Sequence, residues 1–405
     1  MKTKFFVMAA MAALFSMGFT ACSNNDDEMA GKEIAQARGI GFKVASDNSL
    51  VTRGLATSSS GIIFTDFQTW GYDAVAGGLY MGTDANTGKT VSLVAGDWTY
   101  TNPQFWPENS LAFVAIAPAT SAEITGNTVA QAGDKVVTIT SAITLDTDVE
   151  DQDDIMFAAS RGADDDTDPL NVVLGTYGPV ARGDHGGDVP MNFQHALSQI
   201  VFQGKLPADG TVTEVEIAEI TLGNIPAQGS LSFTSAGAFY GGSTTITPTA
   251  STQANFSLDA NDLEGSHFEI GGTLNNATGN SAFPLTTSNG TKPTSKPGNA
   301  WFMLPQALTA WVPGVGETKA GALLADPATN AGAYLKVRAT LKKDGVTILE
   351  NTNPVYIPIG QTWERGKKYI YTIMFNGTNA LYPITFSVTA QDWVNADPQP
   401  GDLSF

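Results

Sequence analysis

The apolar residues of this chain come in short runs that alternate with polar residues, and turn-forming residues separate the runs. Runs of about four to eight residues have the length of β-strands, and the alternation places the apolar side chains on one face of each strand. The sequence therefore predicts an all-β protein made of β-sandwiches, in which each sheet has one buried face. The runs are Ile40 to Val44, Leu111 to Ile116, Val136 to Ile139, Ile200 to Phe202, Val215 to Ile220, Tyr334 to Val337, Tyr369 to Phe375 and Ile384 to Val388.

A polar stretch near the middle of the chain predicts a domain boundary. It runs from Gly183 to Val189 and is rich in glycine and aspartate, which favour loops. We therefore expect two β-sandwich domains in tandem, residues 36–188 and 189–405. No repeat of fixed period is found in either half, which excludes solenoids and propellers.

The beginning of the sequence has the pattern of a lipoprotein export signal. Lys2 and Lys4 precede an apolar run, and small Ala21 precedes Cys22, the single cysteine of the chain. We expect a signal peptide at residues 1–21 and an acidic linker at residues 22–35. The Cys22 thiol would carry diacylglycerol and the new amino group an acyl chain, which together give stable anchoring. The alternatives, a buried thiol or an uncleaved membrane helix, fit less well, because the apolar run is shorter than the about 20 residues that span a bilayer.

The charge and the cysteine count restrict the function further. A formal net charge of -19 argues against nucleic acid or an anionic membrane face as the partner. A single cysteine cannot form an intramolecular disulfide, so apolar burial must stabilise the fold. We expect a protein at the cell surface that is attached to the outer membrane by lipid alone.

No arrangement of residues typical of an enzyme is found in the sequence. The three histidines, His185, His195 and His267, have no cysteine partner, and neither a Gly-x-Ser-x-Gly motif nor a phosphate-binding glycine loop is present. We expect no catalytic residues, no metal and no cofactor, and His195 to pack inside its domain.

Several other motifs have an alternative interpretation that involves a ligand. Two acidic clusters, Asp146 to Asp154 and Asp164 to Asp168, offer oxygen ligands for calcium but lack the twelve-residue loop pattern, so we expect solvated loops. The triplet Arg182-Gly183-Asp184 is most simply a chance occurrence. Five aromatic residues could stack on sugars, although their alternation with polar neighbours favours a place in the core. They are Trp70, Tyr72, Trp98, Tyr100 and Trp106.

Several short motifs follow one another along most of the chain. They are the lipobox at Cys22, Thr52-Arg53-Gly54, Phe67-x-x-Trp70-x-Tyr72, Trp98-x-Tyr100 with Trp106-Pro107, Asp154-Ile155-Met156-x-Ala158, Phe193-x-His195-Ala196-Leu197-Ser198, Phe302-Met303-Leu304-Pro305-Gln306 and Trp363-x-x-Gly366-x-x-Tyr369-x-Tyr371. In this order the motifs resemble those of the fimbrillin-like proteins, which are subunits, anchors or tip adhesins of type V pili.

The resemblance implies two sandwich domains of transthyretin-like topology. It also implies an assembly mechanism in which an arginine-specific protease at the cell surface removes the first strand. A strand from the C-terminal region of the next subunit then fills the groove. Other pilus subunits would be the partners, together with a surface receptor or glycan.

The residues of this chain fit that mechanism. Ile40, Phe42 and Val44 form one apolar face of a first strand, and Arg53 follows in a polar stretch where a protease could cut. Arg38 is a second candidate, but a cut there would leave the strand in place. The donor strand would be Ile384, Phe386 and Val388, with Trp393 at its end, or the shorter pair Leu403 and Phe405.

We therefore interpret the chain as a lipid-anchored fimbrial subunit without enzymatic activity. Three alternatives stay open. A pilus tip or anchor protein would keep its first strand, a surface glycan-binding lipoprotein would serve an importer, and a lipid-anchored hydrolase would need carboxylates that the sequence does not mark.

Overall fold

The computed structural model describes residues 39–46, 64–149, 151–160, 177–207, 209–236, 244–249, 252–259, 283–284, 301–312, 327, 331–349, 354–376 and 384–392. In these ranges the chain forms 24 β-strands, numbered here in chain order, one short 3₁₀ helix and no α-helix. The prediction of an all-β protein is confirmed, and each of the eight predicted apolar runs overlaps a strand. The transthyretin-like topology stays a prediction.

The largest sheet has eight strands in the order β1-β10-β9-β6-β2-β4-β5, with β3 paired to β2. Strand β1 is parallel to β10, and the other pairs are antiparallel. A 3₁₀ helix at Asp184–Gly187 leads directly into β10. The strands are β1 Gly41–Ser46, β2 Asp66–Asp73, β3 Leu79–Met81, β4 Lys89–Val94, β5 Asp97–Thr99, β6 Leu111–Ala117, β9 Met156–Ala159 and β10 Asp188–His195.

Both faces of this sheet are buried, as β6 at its centre demonstrates. All seven residues of β6 are buried, and they alternate between two separate apolar cores. Val114 and Ile116 face the larger core, whereas Phe113 and Ala115 face a smaller core that this sheet encloses. The continuous apolar sequence of β6 is what a strand covered on both faces requires.

Two further sheets and a short strand pair contribute side chains to the larger core. The first has the order β14-β13-β8-β7, and the short pair joins β18 to β22. The second has the order β15-β12-β19-β20 with β21 on β19. The strands are β7 Ile124–Gln131, β8 Val137–Thr144, β12 Glu214–Pro226, β13 Gln228–Thr234, β14 Thr245–Pro248, β15 Gln253–Asp259, β18 Gln306–Ala307, β19 Tyr334–Lys343, β20 Val346–Leu349, β21 Val355–Pro358 and β22 Thr362–Trp363.

The last sheet contains the C-terminal strands in the order β16-β11-β23-β24, with β17 paired to β11. Its final strand, β24, pairs along its length with β23 and lies at the edge of the sheet. The strands are β11 Ser198–Lys205, β16 Phe283–Pro284, β17 Trp301–Met303, β23 Lys367–Phe375 and β24 Ile384–Asp392.

Strand pairing crosses the predicted boundary between residues 188 and 189 at two places. Strand β10 belongs to the same sheet as β1 and β9, and β13 pairs with β8. The larger core also contains side chains from both sides of the boundary, such as Trp70 and Tyr371. The two domains as bounded by residues 36–188 and 189–405 stay a prediction. No described strand after β10 belongs to the first sheet.

A buried contact between an imidazole and a carboxyl group joins two of the sequence motifs at the end of β10. Nδ1 of His195 lies 2.8 Å from Oδ2 of Asp154, and both side chains are almost fully buried. The backbone N–H of Ala196 donates to the carbonyl of Ile155, which fixes the two segments side by side. Burial raises the pKa of the Asp154 carboxyl, because removal from water disfavours its charged form.

The turn between β22 and β23 also contacts the end of β10 and its neighbours. Arg365 donates to the side-chain oxygen of Gln194 at 2.9 Å, and its guanidinium lies 5.1 Å from the centre of the Phe157 ring. The hydroxyl of Ser198 donates to the carbonyl of Glu364. Residues of motifs that are far apart in sequence thus contact one another and link the sheets.

Gly223 offers a test of how tightly the β12–β19 pair is packed. Gly223 is paired with Tyr334, and an added Cβ would overlap the ring of that tyrosine. Such overpacking typically costs about 1–3 kcal/mol. We expect Gly223→Ala to lower the free energy of unfolding by about that amount in urea titrations.

Gly133→Ala is the matched control, because no atom lies within 4 Å of its added Cβ. Its effect should stay within about 0.5 kcal/mol. An equal effect of the two substitutions would contradict the tight contact at Tyr334.

Candidate functional site

Strand β1 is the candidate functional site, because it is the segment that the sequence predicts to be exchanged. It hydrogen-bonds to one strand of its sheet, β10, in the register Phe42 to Val189 and Val44 to Met191. Parallel pairing is slightly less stable per residue than antiparallel pairing. The segment therefore joins the sheet through a single ladder of modest strength.

The three predicted apolar side chains of this segment all lie in the smaller core. Ile40, Phe42 and Val44 are 3%, 7% and 1% exposed. The Phe42 ring contacts three aromatic rings edge to face, those of Phe67, Tyr100 and Phe113, at centroid distances of 5.7, 6.0 and 5.9 Å. Phe42 is thus the central anchor of the strand.

The other flank of β1 contacts the opposite end of the same sheet. The Ile40 N–H donates to the carbonyl of Gln104 at 2.8 Å, and the Tyr100 hydroxyl donates to the carbonyl of Ile40 at 2.8 Å. Gly39 forms a bridge with Phe105. Because residues 100–105 follow β5 directly, β1 lies between the two ends of a curled sheet and closes it.

Burial of β1 contributes much of the stability of the smaller core. Three apolar side chains at about 1.5–3 kcal/mol each give roughly 5–9 kcal/mol. Domains are stable by only about 5–15 kcal/mol. Loss of β1 would open a groove between β10 and residues 100–105 and expose that core to water.

On the face of β1 and β10 that points away from the smaller core, the side chains include charged and polar groups. Nζ of Lys43 lies 3.5 Å from Oδ2 of Asp188, at a half-buried position. Further along β10, Asn192 is 5% exposed, and neither its side-chain oxygen nor its nitrogen has a hydrogen-bond partner among the described residues. A buried polar group without a partner typically costs about 1–3 kcal/mol. Sequence reasoning missed Asn192, although a polar residue between Met191 and Phe193 in an apolar strand was the available signal.

The predicted donor segment forms β24, within the sheet of its own chain. Ile384 is 2% exposed, whereas Phe386 and Val388 are partly buried against the larger core. Sequence reasoning treated this segment as available for a neighbour, and the structure pairs it with β23. As an edge strand it leaves one side of its backbone without a strand partner in the described residues.

The processing and lipidation residues lie outside the described residues. These are Cys22, Arg38 and Arg53, and the same holds for Trp393, Leu403 and Phe405. In the sequence, Arg53 lies between β1 and β2, so a cut there would separate β1 from the rest of the chain. A cut at Arg38 would leave that connection intact.

The acidic loop before β9 is held in place by hydrogen bonds to side chains of the protein. Both oxygens of the buried Glu123 carboxylate accept backbone N–H groups, from Asp146 at 2.6 Å and Asp153 at 2.8 Å. Gln152 donates to the carbonyl of Asp146 and accepts from the N–H of Phe302. No group of three metal-ligating side chains occurs in the described part of the chain, which does not include residues 164–168.

The aromatic residues considered for sugar stacking belong to the cores. Trp70, Tyr72 and Trp106 are buried, and Trp98 and Tyr100 pack half-buried against the smaller core. The carboxylate of Asp184, in the Arg-Gly-Asp triplet, accepts the N–H of Ala181 within its own turn. Among the described residues, no helix is long and apolar enough to cross a membrane.

Replacement of the Phe42 ring tests whether β1 carries the smaller core. Truncation of a buried phenylalanine typically costs about 3–5 kcal/mol, because it removes apolar contacts and leaves a cavity. We expect Phe42→Ala to lower the free energy of unfolding by about 3–5 kcal/mol in denaturant titrations. Lys43→Ala, one residue along on the outer face, should cost at most about 1 kcal/mol. Similar losses for both variants would show that β1 is not anchored by its inner face.

Comparisons with known proteins give a family for the chain. No curated protein matches its sequence. Solved structures that resemble it include a fimbrial protein from Bacteroides vulgatus (16% identity, TM-score 0.49, 88% of this chain and 99% of that chain). Others are a protein named for cell adhesion from Bacteroides ovatus (13%, 0.46, 89% and 99%) and the tip fimbrial protein Mfa3 from Porphyromonas gingivalis with C-terminal truncation (11%, 0.31, 82% and 94%). The fimbrillin-like family model matches residues 73–393, most of the chain, and the protein therefore belongs to the fimbrillin-like family.

Proposed function

We propose that this protein is a structural fimbrial subunit that assembles at the cell surface by exchange of its first strand. The observation that carries the proposal is the position of β1, which fills the space between the two ends of one sheet with three apolar side chains. A strand in that position can be replaced by another strand that has the same alternation. Membership of the fimbrillin-like family supports the fimbrial role.

Cleavage at Arg53 would start the exchange. A cut between β1 and β2 turns β1 into a separate peptide that is held by side-chain burial and one ladder. The exposed edge of β10 would then accept an incoming strand, since an unpaired strand edge is a template for pairing. Cleavage thereby confines assembly to the place where the protease acts.

The donor would be β24 of another subunit. Its sequence Ile384-x-Phe386-x-Val388 repeats the residue types of Ile40-x-Phe42-x-Val44 at the same spacing. Its release breaks the single ladder to β23 and uncovers Ile384, and burial in the neighbour's groove offsets that loss. The partners of the chain are thus other pilus subunits, in a homopolymer or a heteropolymer.

Lipidation of Cys22 would hold the precursor at the outer membrane until cleavage, since residues 22–53 would stay behind with the lipid. The assembled subunit would belong to a fimbrium that contributes to adhesion through a surface receptor or glycan. The net charge of -19 makes nucleic acid an unsuitable partner. No catalytic role is proposed.

A pilus tip or anchor protein is the second candidate function. The observation that favours it is the pairing of β24 with β23, which occupies the donor segment within its own chain. Such a protein would keep β1 in place and present its surface to a receptor or to one neighbouring subunit.

Limited digestion of the full chain with an arginine-specific protease distinguishes the two functions. On the exchange mechanism, digestion produces a new N-terminus at Gly54 and SDS-resistant ladders on unheated gels. Arg53→Gln should abolish both, whereas Arg38→Gln, the matched control, should leave both unchanged. Cleavage at Arg53 without ladders would reject the polymerising subunit in favour of a tip or anchor.

A further inference from the structure

We propose that Asn192 selects the strand that fills the groove, and that Thr389 of a second copy of this chain is the residue it selects. The incoming strand must place a hydroxyl or amide side chain at the position now held by Ala45. This inference rests on the strand exchange proposed above and names the chemistry by which the groove prefers its final occupant.

Asn192 is in register with an alanine on each of the two neighbouring strands. In β10 its register partner on β1 is Ala45. On β9, Phe157 faces Gln194 and Ser160 faces Met191, so Ala159 lies opposite Asn192. An alanine side chain offers neither a donor nor an acceptor. The buried amide of Asn192 therefore has, at both register positions, a residue type whose side chain cannot form a hydrogen bond with it.

Gln194 is an amide on the same face of β10 that does have hydrogen-bond partners. It lies two residues further along and points to the same side of the strand. Its nitrogen donates to the Tyr177 hydroxyl at 2.7 Å, and its oxygen accepts from Arg365 at 2.9 Å. Asn192, on the same face, has neither kind of bond among the described residues. Asn192 differs from Gln194 in that it is in register with a residue of β1, the strand that we propose is exchanged.

Strand β24 has the residue that would complete the pairing. When Ile384, Phe386 and Val388 are aligned with Ile40, Phe42 and Val44, Thr389 falls at the position of Ala45. Thr389 is exposed in its own sheet. Side chains opposite each other on paired strands have Cβ atoms about 4.5–5.5 Å apart, within reach of a threonine hydroxyl and an amide. A hydroxyl can donate to Oδ1 of Asn192 or accept from its Nδ2.

Strand β1 and a neighbour's β24 would therefore place the same residue types in the smaller core. They would differ on the opposite face, where β1 has Ala45 and β24 has Thr389. Strand β1 leaves the Asn192 amide without a bond, and a neighbour's β24 satisfies it. A hydrogen bond to a buried amide is worth most where the alternative is no partner at all. The groove would thus favour the intermolecular occupant without any change in its apolar core.

Substitutions at Ala45 in the full chain test the pairing chemistry without assembly. Ala45→Thr places the donor's residue in β1, and Ala45→Val has nearly the same shape without the hydroxyl. We expect the Thr variant to unfold about 2 °C higher than the Val variant. The difference should disappear when Asn192 is replaced by leucine. Equal unfolding temperatures of the Thr and Val variants with Asn192 present would overturn the inference.

Substitution of the donor residue tests the pairing between copies. After arginine-specific cleavage, the Thr389→Val chain should form ladders that dissociate on heating roughly fivefold faster than those of the wild type. Equal dissociation rates would overturn the role of Thr389. If the wild type forms no ladder, strand exchange itself is overturned. If the Ala45→Thr and Ala45→Val variants still differ in unfolding temperature in that case, assembly has failed and the pairing chemistry at Asn192 has not.

Discussion

Burial of the inner face of β1 between the two ends of one curled sheet is the constraint on which the rest of this molecule depends. The smaller core is enclosed by a single sheet, and the closing element is its first strand. Most globular cores are covered by two layers that support each other. Here a few contacts of Phe42 with its aromatic neighbours close the smaller core. Whether that core is shielded from water therefore depends on whether β1 is in place.

The opposite face of the same sheet is held quite differently. There the larger core draws side chains from several sheets, and the buried pair of Asp154 and His195 lies under a turn anchored by Arg365. Of the β1 side chains that the structure describes, none belongs to the larger core or its partly buried margin. Loss of β1 would therefore open one face while the other keeps its packing, which is the physical condition that strand exchange needs.

The sequence predicts the strands well and the connections between them poorly. Period-two alternation depends on local geometry, so runs such as Ile40 to Val44 and Tyr369 to Phe375 are recognised without tertiary information. The place of β10 in the first sheet depends on which strand lies beside it, and no residue in Asp188–His195 encodes that choice locally. The pairing of β24 with β23 is tertiary in the same sense.

The candidate site was predictable only on its apolar side. The three inward residues of β1 follow from alternation, but the closing contacts from Tyr100 and Gln104 arise because the sheet curls, which is a property of the whole sheet. That curl also explains why the position of a cut matters. While residues 47–63 connect β1 to β2, the strand competes for its groove as an intramolecular partner, at an effective concentration of about millimolar. A cut at Arg53 removes that advantage and leaves β1 as a bound peptide, whereas a cut at Arg38 leaves the connection intact, so only the former allows a neighbour's strand to compete on equal terms.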